Sequence, residues 1–234
     1  MSLFHPATIT CSKCGTQAEL QRNASVNADR RADLRRAILD GSFQAATCRK
    51  CGTQLRLPPH LTYLEIKRGT WIAAEPATLL DEWPEVEDQV WRAYSRAFGE
   101  DASPAGQSIG AGLRPRLVFG WPALREKLLC ADLGLDDITL ECLKMAVLRN
   151  VDHAPMADQT ELRLIRGDAA TLELAWFVTL SEQILSGLDV PRDLYDSIAA
   201  EPEVWDTVRQ RFDGVFLVDL RRFTAGPELA EAAD

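Results

Sequence analysis

The sequence TCSKCGTQ at Thr10–Gln17 returns almost unchanged as TCRKCGTQ at Thr47–Gln54. Each copy holds a Cys-x-x-Cys pair followed by glycine, and we call the copies the first and second knuckles. A tight turn with this spacing places two thiolates along one edge of a tetrahedron, so two knuckles supply the four ligands of a structural zinc site. We therefore predict one zinc ion bound by four cysteines: Cys11, Cys14, Cys48 and Cys51.

A redox-active Cys-x-x-Cys is the alternative interpretation of the knuckles. Redox motifs of the thioredoxin type occur once and begin a helix in a βαβ unit, whereas both copies here lie between strand-like segments. Four thiolates around one ion leave no open position for water. The predicted site is therefore structural and not catalytic.

The segments around the knuckles predict two β-hairpins with a helix inserted between them. Residues 7–10 and 17–22 alternate in polarity around the first knuckle, and residues 43–47 and 54–57 flank the second. The 33 residues from 15 to 47 exceed the spacing of a compact zinc ribbon. We assign the excess to an amphipathic helix.

Two apolar residues and two flanking signals define this inserted helix. Leu34 and Ile38 lie four residues apart, which places them on one helical face. Asn27 or Asp29 is the expected N-terminal cap, and Asp40-Gly41 predicts the end of the helix.

The length and composition are those of a globular protein with a substantial core. The chain has 234 residues, of which 46% are apolar and 26% are charged. No apolar run approaches the ~18 residues that cross a bilayer, and MSLFHPATIT lacks the features of a signal peptide. We therefore expect a cytoplasmic protein, in which six cysteines favour metal binding over disulfides.

The charge is unevenly distributed along the chain. Residues 1–80 hold 11 Lys and Arg against 6 Asp and Glu, and residues 81–234 hold 15 against 29. An acidic C-terminal part is a poor platform for nucleic acid. It is more consistent with solubility or with a protein partner.

The periodicities along the whole chain predict an α+β fold with two folded parts. A helix with Val86, Val90, Tyr94 and Phe98 on one face precedes a segment, residues 100–115, whose Gly, Ser, Ala and Pro content suggests a linker. The predicted divisions are a zinc-ribbon-like domain at 1–80, a helix and linker at 81–115, an acidic α+β domain at 116–224 and a disordered tail at 225–234.

The acidic domain mixes helical and strand periods. We predict strands at 116–119 and 215–220, a hairpin at 161–179, and helices at 121–132, 137–149, 191–199 and 203–212. Before this domain, one more strand is predicted at 70–74.

Other residues that suggest chemistry have structural interpretations that we prefer. Cys130 and Cys142 fall on apolar helical stripes and are expected in the core. None of His5, His60 and His153 has a neighbouring nucleophile pattern, and we predict no catalytic residue.

Two further motifs could be mistaken for functional sites. The glycines of residues 106–112 lack the Lys-Ser/Thr of a phosphate loop and are assigned to the linker. Asp136, Asp137 and Glu141 are interpreted as helix-capping residues that interact with the helix dipole.

Basic residues of the N-terminal part form a second candidate site. Such a face binds nucleic acid in some zinc ribbons. A solvated helix face and an internal contact with the acidic C-terminal part are the alternatives. The candidate nucleic-acid-binding residues are Arg30, Arg31, Arg35, Arg36, Arg49 and Lys50.

The knuckles, the inserted helix and three downstream segments together resemble bacterial CpXC domain proteins. The segments are LVFG at 117–120, LREKLL at 124–129 and GLDD at 134–137, followed by Leu143-Lys144. The family is named for two Cys-Pro-x-Cys motifs, and Ser12 and Arg49 stand where the prolines would be. The resemblance implies a zinc-binding module and points to no particular activity.

Our leading hypothesis is a non-enzymatic, zinc-stabilised interaction protein that binds another protein or its own copy. The alternative is a nucleic-acid-associated regulator that uses the basic residues named above. A third class, an enzyme in the C-terminal domain, has no visible constellation of catalytic residues to support it.

Overall fold

The computed structural model describes residues 4–150 and 159–224, and it has the predicted α+β fold. The strands are β1 (Phe4–Thr10), β2 (Gln17–Asn23), β3 (Ser25–Asn27), β4 (Ala45–Thr47), β5 (Gln54–Arg56), β6 (Leu61–Glu65), β7 (Thr70–Glu75), β8 (Arg114–Phe119), β9 (Thr160–Gly167), β10 (Thr171–Val178) and β11 (Gln183–Pro191). The helices are α1 (Ala32–Asp40), α2 (Trp83–Phe98), α3 (Pro104–Gly110), α4 (Gly120–Leu133), α5 (Asp137–Asn150), α6 (Arg192–Ala200) and α7 (Asp206–Gln210).

The two knuckle hairpins form as predicted, with the inserted helix between them. Strands β1 and β2 pair antiparallel around the first knuckle, and β4 and β5 pair around the second. Helix α1 buries Leu34 and Ile38 and ends at Gly41, which adopts a left-handed φ of 86°. Neither predicted cap contacts the first turn of α1: the Asn27 side chain accepts from Arg30 N, and that of Asp29 accepts from Ile66 N.

A four-stranded mixed sheet, in the order β3-β6-β7-β8, forms the centre of the molecule. Neighbouring residues of β7 point to opposite faces of a sheet, and here both faces are buried. Ile72 packs in a core that contains Trp121 and Leu128 of α4, whereas Trp71 packs against Val90 of α2. Helices therefore cover both faces of this sheet.

Strands β9, β10 and β11 form a second, antiparallel sheet in the order β11-β10-β9. Helix α4 lies between this sheet and the four-stranded sheet. Its residues Leu124 and Leu128 belong to the first core, and Cys130 belongs to a core with Leu164 of β9 and Leu174 of β10. Asp132 near the end of the helix is exposed, but Glu126 and Lys127 lie in the interior and are shielded from water.

An internal network of ion pairs compensates these buried charges. On α4, Glu126 contacts Lys144 Nζ of α5 at 2.7 Å and Arg163 Nη1 of β9 at 3.0 Å. Arg163 also contacts Asp219 at 2.6 Å. Five acidic and five basic residues take part: Glu126, Asp137, Glu141, Glu161 and Asp219 with Arg116, Lys127, Lys144, Arg163 and Arg221.

The pKa of Glu126 shows how burial and ion pairing compete in this network. Burial alone would raise the pKa of Glu126, but the charges of Lys144 and Arg163 outweigh it and lower the pKa. The backbone also contributes, because Leu164 N donates to Glu126 Oε2 at 2.7 Å. Glu126 therefore stays ionised in the interior and ties α4 to β9.

The acidic residues before and within α5 only partly match their predicted capping role. Asp136 Oδ1 accepts from Thr139 N at 2.8 Å, as a cap does. Asp137 instead contacts Arg116 at 2.7 Å, and the fully buried Glu141 contacts Lys144 at 2.8 Å. Arg116 lies 21 residues before Asp137, so helical position alone could not reveal that ion pair, whereas Lys144 lies three residues after Glu141 on the same helix.

In place of the predicted linker, residues 104–110 form helix α3, which includes Gly106 and Gly110 but not Gly112. The first turn is capped by the Ser103 hydroxyl, which accepts from Gly106 N at 3.3 Å. A Cβ on Gly110 would lie 2.0 Å from the carbonyl oxygen of Phe98. The small residues that suggested a linker instead allow α3 to pack directly on α2.

The predicted domain division stays a prediction. Strands β7 and β8 come from opposite sides of it and pair in parallel within one sheet, from Thr70 opposite Arg114 to Glu75 opposite Phe119. The predicted tail at 225–234 lies outside the described residues.

The predicted strand at 215–220 is wrong. Its central residues are buried, but Phe216 N and Leu217 N donate to Glu87 Oε1 at 2.8 and 2.7 Å, and Leu220 N donates to Glu141 Oε2 at 3.0 Å. Carboxylates therefore accept hydrogen bonds that a neighbouring strand would otherwise accept. Strands β3, β6 and β11 were not predicted.

Within residues 4–150 and 159–224, no helix is both long enough and apolar enough to cross a bilayer.

We predict that Arg163→Met destabilises the protein by about 3–5 kcal/mol, because it removes the buried cation that Glu126, Glu161 and Asp219 share. Arg166→Met on the same strand is the matched control: its side chain is 79% exposed and pairs with Glu173. That control should cost less than about 1 kcal/mol. Urea unfolding followed by circular dichroism measures both, and equal losses would contradict the role of the network.

Candidate metal centre

The four knuckle cysteines converge on one point. Their sulfur atoms all lie within 4.8 Å of one another. The Cys11 and Cys51 sulfurs are 3.5 Å apart, and those of Cys14 and Cys48 are 3.6 Å apart. Sulfurs bound to one zinc at about 2.3 Å in a tetrahedron would be separated by about 3.8 Å. The arrangement therefore fits a tetrahedral metal ion.

The two knuckles have the same backbone geometry, which explains why their sequences repeat. Cys11 N donates to Thr16 O at 2.9 Å and Cys48 N donates to Thr53 O at 2.8 Å. Gly15 and Gly52 have φ values of 71° and 73°, a region that glycine occupies without strain. Each glycine lets the chain turn back immediately after its second cysteine.

Threonine hydroxyls support the second cysteine of each knuckle. The Thr16 hydroxyl lies 3.3 Å from Cys14 Sγ, and the Thr53 hydroxyl lies 3.2 Å from Cys51 Sγ. Hydrogen bonds from the Thr53 side chain and backbone lower the pKa of Cys51 to about 6, and the equivalent bonds from Thr16 lower the pKa of Cys14. These contacts favour the thiolate forms that bind metal.

The pKa of Cys48 is raised. Backbone N–H groups of Cys51 and Lys50 lower it, but desolvation and the adjacent sulfurs of Cys14 and Cys51 act in the opposite direction and prevail. Neighbouring thiolates repel one another, so several cysteines this close do not all ionise without a cation between them. A bound cation offsets the repulsion. The cluster is thus suited to hold positive charge at its centre.

Little apolar packing surrounds this centre. The buried part of its hydrophobic cluster consists of Cys11, Cys48 and Leu55, with Ile9 and Ala18 partly buried beside it. Such a small core supplies little folding free energy. A bound ion would hold the two hairpins together where apolar burial does not.

All four cysteines were predicted from the sequence, whereas Thr16 and Thr53 were not. The signal was available, because threonine follows Cys-x-x-Cys-Gly in both copies. A threonine that repeats after the cysteines in both knuckles indicates that the two knuckles share a side-chain contact as well as a turn.

The candidate nucleic-acid-binding residues do not share one environment. Arg35 contacts Glu65 at 3.2 Å and Asp132 at 2.8 Å, so it forms the internal contact that we considered as an alternative. Arg31 pairs with Asp33 at 2.6 Å. The exposed members are Arg30, Arg36, Arg49 and Lys50. Nucleic-acid binding stays a prediction for them.

The remaining cysteines are core residues, as expected. Cys130 and Cys142 are at most 3% exposed. Burial raises the pKa of both thiols, to about 11 for Cys142, which leaves them protonated and unreactive at neutral pH. His60 is exposed and pairs with Glu75, and His153 lies outside the described residues.

Comparison with known proteins places this architecture in a family. The family model described as CpXC protein matches residues 9–144, which is more than half of the chain and includes both knuckles. The chain belongs to the CpXC family. No curated protein and no solved structure matches it.

The CpXC match ends inside α5, at residue 144. Lys144 is the last matched residue, and its ion-pair partner Glu126 also contacts Arg163, which lies beyond the match. In this CpXC protein, residues after the matched region therefore complete the buried charge network.

We predict that the purified protein holds one metal ion per chain and that Cys51→Ser reduces this content at least tenfold, because a tetrahedral site loses one of four thiolates. Cys130→Ala is the matched control, since that buried thiol lies outside the cluster. Elemental analysis after desalting measures both variants. Equal metal content in the two variants would contradict the assignment of the site.

Proposed function

We propose that this CpXC protein is a zinc-stabilised interaction protein that associates with its own copy, and that it is not an enzyme. The observation that carries the proposal is the open, apolar edge of strand β11. The metal centre supports the fold of the N-terminal part, and the interaction surface lies in the C-terminal part. The cytoplasmic location stays a prediction.

Zinc is the metal that the donor set favours. Four thiolates in a tetrahedral arrangement suit Zn²⁺ or an iron–sulfur cluster. The separations of two sulfur pairs, 3.5 and 3.6 Å, are slightly shorter than the separation around a single zinc ion. A cluster of several irons needs more space between its cysteines, so we assign one zinc.

We predict that cobalt(II) replaces zinc and gives the intense visible absorption of a tetrahedral four-thiolate complex, because the donor geometry is set by the hairpins. Titration of the apoprotein with Co²⁺, followed by Zn²⁺, should show a rise and then a loss of this absorption at one equivalent each. An iron–sulfur spectrum in the purified protein would overturn the zinc assignment.

Strand β11 forms one edge of the three-stranded sheet and pairs only with β10 among the described residues. Ile184 is 54% exposed and Leu185 is 46% exposed, and Leu180 just before the strand is 55% exposed. Edge strands are usually protected by lysine or an internal proline. Between Gln183 and Val190 this strand has neither.

Self-pairing suits the charge pattern of the strand. Asp189 is its only charged residue. An antiparallel pair of two copies centred on Gly187 would place Asp189 opposite Leu185, so that no like charges face each other. Two three-stranded sheets would then join into one of six strands, and the edge N–H and C=O groups would be satisfied.

A closed metal centre and buried thiols support the non-enzymatic assignment. The four knuckle sulfurs use every position of a tetrahedral ion, and the other two cysteines are buried and protonated.

We predict that the zinc-loaded protein is a dimer of twice the 26.0 kDa chain mass and that Ile184→Lys makes it monomeric, because lysine at an edge opposes strand pairing. Val204→Lys is the matched control, since Val204 is 67% exposed on a different element. Sedimentation at several concentrations tests both variants. A monomeric parent protein, or a dimeric Ile184→Lys variant, would overturn self-association.

A further inference from the structure

A cleft of about 810 Å³ opens at one end of the four-stranded sheet. Its walls come from the turn between β6 and β7, the start of β8, the end of α4 and the start of α5. The volume falls within the range of roughly 300–1,000 Å³ that is typical of small-molecule sites. The cleft is separate from the metal centre and from β11, because it includes no residue of either.

The charged residues that line the cleft are mostly cationic, in a protein whose net charge is −9. They comprise five basic side chains and two acidic ones: Lys67, Arg68, Arg114, Arg116, Lys127, Asp136 and Asp137. The cations in the cleft make the local electrostatic potential more positive than that of the rest of this acidic protein. Such an arrangement attracts anions locally.

The floor of the cleft is internally neutralised and rigid. Asp137 accepts two hydrogen bonds from Arg116 at 2.7 and 2.9 Å and contacts Lys127 Nζ at 2.9 Å. Lys127 Nζ also lies 3.9 Å from Glu141 and donates to Val218 O at 2.7 Å. These groups hold one another in place and shape the base of the cleft.

Arg68 on the wall is also neutralised. It contacts Glu65 at 3.1 Å and Asp132 at 2.8 Å, and both carboxylates also contact Arg35. Two arginines therefore balance two carboxylates. This group contributes shape to the wall and little net charge.

Lys67 and Arg114 differ from the other cations of the cleft. Both side chains are exposed, and neither has an ion-pair partner in the part of the chain that the structure describes. Their backbone is ordered by the sheet: Lys67 lies in the turn of Ile66–Arg68, and Arg114 N donates to Gly69 O at 2.7 Å. The cleft thus carries two uncompensated cations at fixed backbone positions.

We propose that this cleft binds a small molecule that carries a phosphate monoester, with Lys67 and Arg114 as the residues that contact the phosphate. A phosphate monoester carries about −1.5 to −2 charges at pH 7, which matches two cations. The guanidinium of Arg114 offers paired N–H donors to two phosphate oxygens. The rest of the ligand would enter the cleft over its buried apolar residues, Ile72, Cys130 and Leu135.

Asp136 works against the anion and limits where it binds. Its Oδ1 accepts from both Thr139 N and the Thr139 hydroxyl at 2.8 Å, and it lies 3.8 Å from Arg209. These partners reduce the repulsion that it exerts. The phosphate position that avoids Asp136 lies toward β7 and β8, where Lys67 and Arg114 are found.

The test measures binding of two phosphate monoesters, adenosine 5′-monophosphate and ribose 5-phosphate, by isothermal titration calorimetry at constant ionic strength. We expect both probes to bind the zinc-loaded protein. Lys67→Glu and Arg114→Glu should each weaken binding at least tenfold, because a charge-assisted hydrogen bond is lost and a repulsion added. Adenosine and ribose serve as uncharged probes that should not bind measurably.

Arg92→Glu makes the same charge change on α2, outside the cleft, and should leave the affinity unchanged. Both cleft side chains are exposed, and circular dichroism verifies that each variant is folded. Failure of both probes to bind at millimolar concentration, or equal weakening by Arg92→Glu, would overturn the proposal. Tight binding of a single-stranded oligonucleotide that falls steeply with salt, without binding of the monoesters, would assign the two cations to nucleic acid instead.

Discussion

The burial of α4 between two sheets is the constraint on which the rest of the structure depends. A helix with water on one side can expose its charged residues there, but α4 has a sheet on each side. Glu126 and Lys127 are consecutive and both buried, so each must meet partners from other elements. Those partners come from α5, β9 and the carbonyl of Val218, and they draw the C-terminal elements onto the helix.

The knuckle hairpins and the rest of the molecule therefore depend on different interactions for their stability. The hydrophobic cluster of the knuckle hairpins has three buried residues among those the structure describes, and an ion bound by the four thiols would supply the stabilisation that this cluster does not. The remainder has large apolar cores on both faces of the four-stranded sheet and uses the ion-pair network to specify how α4 packs. Loss of metal and loss of a buried charge should accordingly affect different parts of the protein.

The surfaces proposed for function lie outside both stabilising centres. Strand β11 presents apolar side chains and unpaired backbone groups at a sheet edge. The cleft is instead concave and polar, and it presents Lys67 and Arg114. In the CpXC match, the cleft lies wholly within the family region and β11 lies beyond it. This division is consistent with a ligand that the CpXC family shares and a self-association that is specific to this protein.

The sequence by itself determined the local features of this protein. The repeated knuckles specified the four cysteines and their turns, since both are encoded within eight residues, and the spacing of Leu34 and Ile38 specified the buried face of α1. Only the tertiary structure decided that the small residues of 104–110 form a helix against α2, that Glu87 accepts hydrogen bonds from Phe216 and Leu217, and that Glu126 is internal. The reason is physical. Glu87 and Glu126 depend on partners more than ten residues away in the sequence, and α3 depends on close contact between its backbone and that of α2. Neither kind of interaction produces a periodic pattern in the sequence.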